Sequence, residues 1–306
     1  MTIIILLNWN GADDTLACLK SLEKAEGDFR VLIADNGSND NSVERLSSFV
    51  SSSSLIAELL PLGENYGFAK GNNKAIMYAR KYQPDWYFLL NNDTEVEPDF
   101  LTKLLSFDDA HNHRFSVLTP RINYFAEKSK IWLCGGKLTF GSRKKNYHDA
   151  FTNSLPDEEF LPVTFVSGCA LMARRDTLNE DGCLLSDNFF FGEEDYEFSL
   201  RMRKQHMQMA CAFGSVVYHK VGSSHKRMDK RASFGRIYSY YLGRLICARQ
   251  YYSKLSFNLI RMLSIPGCYK YFRLSLGCRS VARKQLCRLM NECKIKESVT
   301  QEDLLA

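Results

Sequence analysis

The chain has 306 residues, 45% of them hydrophobic and 25% charged, and its 40 Lys+Arg against 35 Asp+Glu give a formal net charge of +5. That length admits one large domain or two of roughly 150 residues, and the composition excludes an intrinsically disordered chain, a collagen-like repeat and a disulfide-stapled mini-protein as its main character. The mild charge conceals a split: residues 1–225 carry 23 basic and 30 acidic side chains, net −7, whereas residues 226–296 carry 17 basic ones and only Asp229 and Glu292, net +15.

Residues 3–7, Ile-Ile-Ile-Leu-Leu, form a continuous apolar run suited to a parallel strand covered on both faces. The run is short and lacks the basic flank of a secretory signal. After a turn at Asn10-Gly11, Leu16, Leu19 and Leu22 recur at helical spacing. Residues 29–34 read as a second strand that ends in the turn Asp35-Asn36-Gly37-Ser38, followed by a helix over 42–49 and a serine-rich loop at 51–54. A third strand is expected over 56–60, a helix over 71–81 that stops before Pro84, and a fourth strand over 86–90 that runs into Asn91-Asn92-Asp93. Strands alternating with helices imply βαβ units and a mostly parallel sheet, an α/β nucleotide-binding half.

Ligands of such sheets bind outside the carboxyl ends of the strands. Polar residues stand at those ends from three strands: Asn8 and Asn10, Asp35 and Asn36, Asn92 and Asp93. Any one of them would suit a plain turn; the three together point to a site. Neither G-x-G-x-x-G nor G-x-x-x-x-G-K-[ST] occurs, so neither the dinucleotide nor the P-loop mode of phosphate binding is expected.

Three features carry candidate chemistry. Asp93, with Asn91 two residues before and Glu95 two after, offers oxygen ligands for Mg2+ or Mn2+ beside a diphosphate, or is a solvated turn acid. Phe189-Phe190-Phe191-Gly192 precedes Glu193-Glu194-Asp195, three acids that open a helix. They suit the helix dipole, and one of them could equally serve as a general base for an incoming hydroxyl, with the aromatics excluding water. Third, residues 212–217 read as a strand leading into Tyr218-His219-Lys220, where the imidazole completes a metal site, contacts a diphosphate or is an ordinary surface or core histidine.

Beyond residue 225, arginines and lysines interleave with Tyr238, Tyr240, Tyr241, Tyr251, Tyr252, Phe257, Tyr269, Tyr271 and Phe272. Charges interrupt the apolar residues of 237–265, which predicts an amphipathic helix broken at Pro266-Gly267. It is either an interfacial helix on an anionic membrane or a helical cap with a solvated basic face; nucleic-acid binding is the less favoured third reading. No uncharged apolar stretch reaches the roughly 18–20 residues of a membrane span. The ten cysteines contain no Cys-x-x-Cys pair, which fits reduced thiols in a cytoplasmic protein.

In order and spacing, these segments resemble glycosyltransferase family 2, an inverting family of GT-A fold, and within it the rhamnosyltransferase-like bacterial branch. The resemblance rests on LLNWNG at 6–11, IADNGSNDNS at 33–42, ENYGFAKGNN at 64–73, LLNNDT at 89–94, VSGCALMARRD at 166–176, FFFGEEDYEFSLR at 189–201 and VVYHKVGSS at 216–224. It implies a catalytic domain over 1–225 with a Rossmann-like, mostly parallel sheet flanked by helices, and a C-terminal basic helical region over 226–306. By the same resemblance, Asn8, Asn10, Asp35, Asn36, Asn65, Gly67, Gly71, Asn72 and Asn92 bind the nucleotide-sugar. Asp93 and His219 hold Mg2+ or Mn2+, Asp195 is the general base with Glu194 beside it, and Arg201 supports that helix or the acceptor side. Two positions depart from the family: Asn91 replaces the first acid of D-x-D, and Glu197 stands where a shorter acid is common. The implied reaction is a single displacement with inversion. A sugar such as rhamnose or a hexose moves from a dTDP- or UDP-linked donor to a hydroxyl of a glycan or polyprenyl-diphosphate-linked acceptor in surface polysaccharide synthesis. The enzyme would then be cytoplasmic and peripheral on the inner face of the membrane, seated through residues 226–296. The alternative from another class is an inactive transferase-like body serving as a membrane- or nucleic-acid-binding module.

Overall fold

A computed structural model describes residues 1–221 and 230–304, with 230–233 described by backbone alone. The predicted boundary near 225, the Gly222-Ser223-Ser224 end of the last motif and His225 lie outside the described residues.

The first half follows the expected alternation: β1 (Thr2–Asn8), α1 (Ala12–Leu22), β2 (Phe29–Asp35), α2 (Ser42–Ser52), β3 (Ala57–Pro61), α3 (Gly67–Ala79) and β4 (Trp86–Asn91). Then come β5 (Thr94–Val96), α4 (Phe100–Ala110), β6 (Val117–Tyr124), β7 (Ile131–Leu133), β8 (Gly136–Thr139), β9 (Ser142–Lys145), β10 (Phe160–Val163) and β11 (Ala170–Arg174). They are followed by α5 (Glu194–Lys204) and β12 (Met209–His219), and then by α6 (Lys230–Tyr251), α7 (Lys254–Leu276), α8 (Arg279–Ile295) and α9 (Gln301–Leu304). One sheet takes the order β10-β12-β6-β11-β4-β1-β2-β3, with β5 on β12 and β7 on β6, while β8 and β9 form a separate hairpin. Strands β3, β2, β1, β4, β6 and β12 run one way; β11 enters antiparallel between β4 and β6, and β10 antiparallel on β12. This is the mixed but mostly parallel α/β sheet expected.

The apolar strands are explained by burial on both faces, since successive strand side chains point to opposite sides. Ile4, Leu6, Val31, Ile33, Phe88 and Leu90 join the core beneath α1, α2 and α4, where Leu19, Leu46 and Phe100 meet them. Their neighbours Ile3, Ile5, Leu32, Ala34, Tyr87 and Leu89 join the core on the other face, with Ile76 of α3 and Phe198 of α5.

Three local expectations are corrected. Ser51 and Ser52 belong to α2, where their hydroxyls donate to the carbonyls of Ser47 and Ser48 at 2.9 and 3.0 Å, the back-bonded form open to a serine inside a helix. Helix α3 begins at Gly67 rather than 71, because the Phe68 N–H is anchored 2.8 Å from the Phe190 carbonyl, a distant partner. The break in the basic region falls at Tyr252-Ser253, not at Pro266-Gly267. Ser253 caps α7 by accepting from the Ser256 N–H, and Pro266 sits inside the helix. A helix-interior proline frees the carbonyl four residues earlier. Here that is Met262, on the exposed side, where water can satisfy it.

The basic region is also more than a solvated cap. Phe234, Tyr238, Leu242, Leu245, Phe257, Ile260, Phe272 and Leu289 form a third core shared with Phe189, Tyr196 and Leu200 of the preceding segment. No helix among the described residues is long and apolar enough to cross a membrane. All ten cysteines are free thiols.

Candidate active site

The carboxyl ends of β1, β2 and β4 meet in one hydrogen-bonded network. The Asn8 amide donates to Asp35 Oδ2 at 2.7 Å and to Ser38 Oγ at 3.2 Å, and its Oδ1 accepts from Thr15 Oγ1 at 2.8 Å. Asp35 also accepts from the Ser38 N–H (2.9 Å) and hydroxyl (2.6 Å). The Asn92 amide donates to Thr15 Oγ1 at 2.9 Å, which ties the end of β4 to the same group. Asn36 donates to Asn65 Oδ1 (3.0 Å) and the Gly67 carbonyl (3.1 Å) and accepts from the Tyr66 N–H (3.0 Å).

These contacts sort the sequence-predicted residues. Asn8, Asp35, Asn36 and Asn72 are buried, and their polar atoms serve the protein itself; Asn72 donates to the Phe68 carbonyl at 2.8 Å. They shape the strand-end floor rather than face the space above it. Asn10 is exposed, holds φ 51° and accepts from the Asn39 N–H at 2.9 Å, while Asn65 and Asn92 are part-exposed. Two glycines permit close approach here. A Cβ on Gly71 would lie 2.9 Å from Leu7 Cδ1 and 3.2 Å from Asn36 Oδ1, and Gly67, at φ +77°, has no room for one against the Phe190 backbone.

Strand β12 delivers His219 opposite Thr94 of β5. Its Nε2 lies 3.2 Å from Asp93 Oδ1, and the Trp132 ring packs edge-on at 4.6 Å. Burial disfavours the imidazolium, but Cys169 and Asp93 outweigh it and raise the imidazole to about 10. The His219 Nδ1 is buried with no hydrogen-bond partner among the described residues. Lys220 is tied to the pair by its backbone N–H, which donates to the Asp93 carbonyl at 2.9 Å, while its Nζ sits 3.2 Å from Glu95 Oε1 and 3.5 Å from Asp14 Oδ1.

Across the edge stands the start of α5. Glu193 occupies the left-handed region at φ 70°, costly for a non-glycine residue. Its side chain is 1% exposed, and Arg143 Nη1 of β9 contacts both carboxylate oxygens at 2.8 and 2.9 Å while Arg244 Nε of α6 stands 3.4 Å away. Both guanidinium groups also approach the Tyr196 ring, Arg143 at 5.4 Å and Arg244 at 5.5 Å from its centroid. Arg143 Nη2 also approaches Asp195 Oδ1 at 4.0 Å. Burial and Glu193 hold the Asp195 carboxyl above its usual range, opposed by Arg143 and Lys145. Glu194 is raised as well, by burial and then by Asp195, and its Oε2 has no hydrogen-bond partner among the described residues. Lys145 links the two halves: it acts on Asp195, and its ammonium lies 4.7 Å over the Trp132 ring that touches His219.

The remaining expectations take structural places. Phe189 enters the third core instead of screening the site, while Phe191 is exposed. Glu197 accepts from the Tyr251 hydroxyl of α6, and Arg201 donates to the carbonyls of Thr177 and Leu184, which anchors α5 at its far end. Arg143, Arg244, Ser38 and Lys145 were not singled out in the sequence. The Arg143-Lys144-Lys145 run was the one visible signal, and no spacing rule connects it to residue 193.

Asp108, Asp109 and His113 also come close enough to share a cation. They lie at the opposite sheet edge, however, where Arg174, paired in register with Trp86 at the start of β4, contacts both Asp108 oxygens at 2.9 and 3.1 Å. That carboxylate is already neutralised.

The family model for glycosyl transferase family 2 matches residues 3–182. No curated protein sequence matches the chain. Among solved structures, GalNAc-T7 with UDP, GalNAc and Mn2+ is similar at TM-score 0.57 and 14% identity, over 72% of this chain but 43% of that one, so this chain spans less than half its length. S. aureus TarS 1-349 is similar at TM-score 0.55 and 13% identity, over 97% and 87% of the two chains. The mannosyltransferase PcManGT from Pyrobaculum calidifontis, in complex with GDP-Man and Mn2+, is similar at 0.57 and 10%, over 97% and 86%.

Proposed function

Because the chain belongs to glycosyl transferase family 2, we propose that it is an inverting glycosyltransferase that uses Asp195 as general base. It moves rhamnose or a hexose from a dTDP- or UDP-linked donor to a hydroxyl of a glycan or polyprenyl-diphosphate-linked acceptor in surface polysaccharide synthesis, as the rhamnosyltransferase-like branch would. The observation that carries this reading is the His219–Asp93 contact at the ends of β12 and β4, linked through Trp132 and Lys145 to the acidic start of α5.

Asp93 and His219 fit a divalent cation. Donor atoms 3.2 Å apart match one edge, about 3.0 Å, of an octahedron with metal–ligand distances of about 2.1 Å, and such ions are commonly held by one or two protein ligands plus substrate phosphates. With the imidazole raised to about 10 the ring carries a proton beside Asp93, and a cation would displace that proton, because histidine ligates as the neutral ring. Mg2+ or Mn2+ held there supplies positive charge to the diphosphate.

The rest is done by the chain's own residues. The Asn8–Asp35–Ser38 and Asn36–Asn65 networks fix the loops on which the nucleotide rests, with Asn10, Asn65 and Asn92 the exposed or part-exposed members. Arg143 and Lys145 keep Asp195 ionisable despite its burial, so that it can take the acceptor hydroxyl's proton. Glu194, more deeply buried and raised, retains its proton and leaves that role to its neighbour. Residues 1–225 form the catalytic domain in this reading. Of the region 226–306, the described residues 230–304 are mostly helical and complete it, since Arg244 and Tyr251 reach Glu193 and Glu197. The enzyme works at the cytoplasmic face of the membrane.

A thermal-shift screen of dTDP- and UDP-sugars with Mn2+ tests the donor assignment. At least one should raise the melting temperature, and EDTA should remove the shift. If none shifts with or without Mn2+, the nucleotide-sugar reading fails.

A further inference from the structure

We propose that the outward face of α7 is a docking surface for an anionic lipid bilayer. At 100° per residue, Leu255, Leu259, Met262, Leu263 and Leu274 fall on one side of the helix, and they are between 47% and 82% exposed. The opposite side, with Phe257, Ile260, Cys268 and Phe272, is already buried in the third core. The leucine face is therefore surplus to folding, and an exposed apolar stripe of this length is uncommon on a monomer's surface.

Charge selects the occupant. From Lys230 to Asn291, through all of α6 and α7 and most of α8, no acidic residue occurs. Lys270 and Arg273 stand exposed on the leucine side, and Arg279, Arg283 and Lys284 are exposed at the start of α8. A leucine stripe beside unopposed cations matches the boundary between headgroups and acyl chains of an anionic membrane. A second copy of the chain would instead bring the same cations against themselves. Because no described helix can cross a bilayer, α7 lies along the surface.

The seat also has a direction. Phe140, 51% exposed at the tip of the β8–β9 hairpin, lines one cleft together with Leu263, Ile260, Gly267 and Arg244. Arg244 reaches Glu193, two residues from Asp195. Docking α7 therefore opens this cleft at the bilayer boundary, next to the acid turn. This deepens the lipid-linked acceptor of the proposed function, but its test needs no turnover, so the two can fail separately.

The full-length chain is sedimented with phosphatidylcholine vesicles with and without phosphatidylglycerol. Binding should be at least tenfold tighter with phosphatidylglycerol and should weaken as salt rises. Replacing the apolar stripe (Leu259→Glu, Met262→Glu, Leu263→Glu) should lower binding at least tenfold with an unchanged melting temperature. The charge variant Lys270→Glu, Arg273→Glu leaves every apolar contact in place and should lower it independently, so misfolding of the first variant does not decide the matter. Equal recovery from both vesicle types, or wild-type binding by the charge variant, overturns the proposal. So does a dimer in light scattering that the stripe substitutions dissolve, which would make the face an interface between copies.

Discussion

The two sides of the catalytic edge are built by opposite means. On the donor side, neutral Asn, Ser and Thr groups and one carboxylate, Asp35, satisfy one another across short turns at the ends of β1, β2 and β4. On the acid side, Glu193 is neutralised by Arg143, fifty residues upstream, and by Arg244, fifty-one residues downstream in the helical region. A neutral network loses one hydrogen bond at a time, whereas a buried carboxylate stripped of its cation bears its desolvation cost alone. The donor floor should therefore tolerate damage, and the acid turn should couple stability to catalysis.

The sharpest way to break this contrast is Arg143→Ala, which leaves Glu193 with Arg244 alone. Denaturant unfolding should show a loss of about 3 kcal/mol, the scale of a broken buried ion pair. Transfer should fall with it, because Asp195 loses the cation that favours its ionised form. A loss below about 1 kcal/mol would show the acid turn to be held otherwise. Next in size, Asn8→Ala leaves Thr15 and Asp35 each short of a partner and should cost about 2 kcal/mol in the same assay, since unpaired buried polar groups cost about 1–3. Its effect on transfer should follow the stability loss and not exceed it.

The smallest effect concerns pH. Glu194 is raised above its ordinary 4.5 by burial and by Asp195, so the folded state keeps a proton that the unfolded chain gives up. That contribution is full below the unfolded value and is lost as pH rises through the raised one. Glu194→Gln should therefore flatten part of the fall in melting temperature between about pH 5 and 8. Parallel curves for the variant and the wild type would refute the shift.

What the sequence made legible follows the same contrast. Strand runs such as residues 3–7 and the Asn-Asp-Gly turns after them are local signals, and the α/β sheet with its polar strand ends could be read from them. Asp93 and His219 were marked by their places after strands, although β5, the short strand that brings them together, carries no pattern of its own. Arg143 and Arg244 could not be found, because a surface-like arginine gives no sign that a carboxylate half a domain away will bury it. Pro266 misled for a related reason: its cost depends on whether the freed carbonyl faces water, which is decided by tertiary packing. The basic composition after residue 225 was plain, yet the third core within it appears only when three helices close on Phe189 and Tyr196.

The central claim, that Asp195 is the base while Asp93 and His219 serve the diphosphate, is tested most directly by one variant with two readouts. For Asp195→Asn, sugar transfer should fall about 10²- to 10⁴-fold, the usual worth of a positioned general base, while Mn2+-dependent affinity for the nucleoside diphosphate stays within about twofold of wild type. Transfer at the wild-type rate, or a loss of diphosphate affinity as large as the loss of transfer, would contradict it.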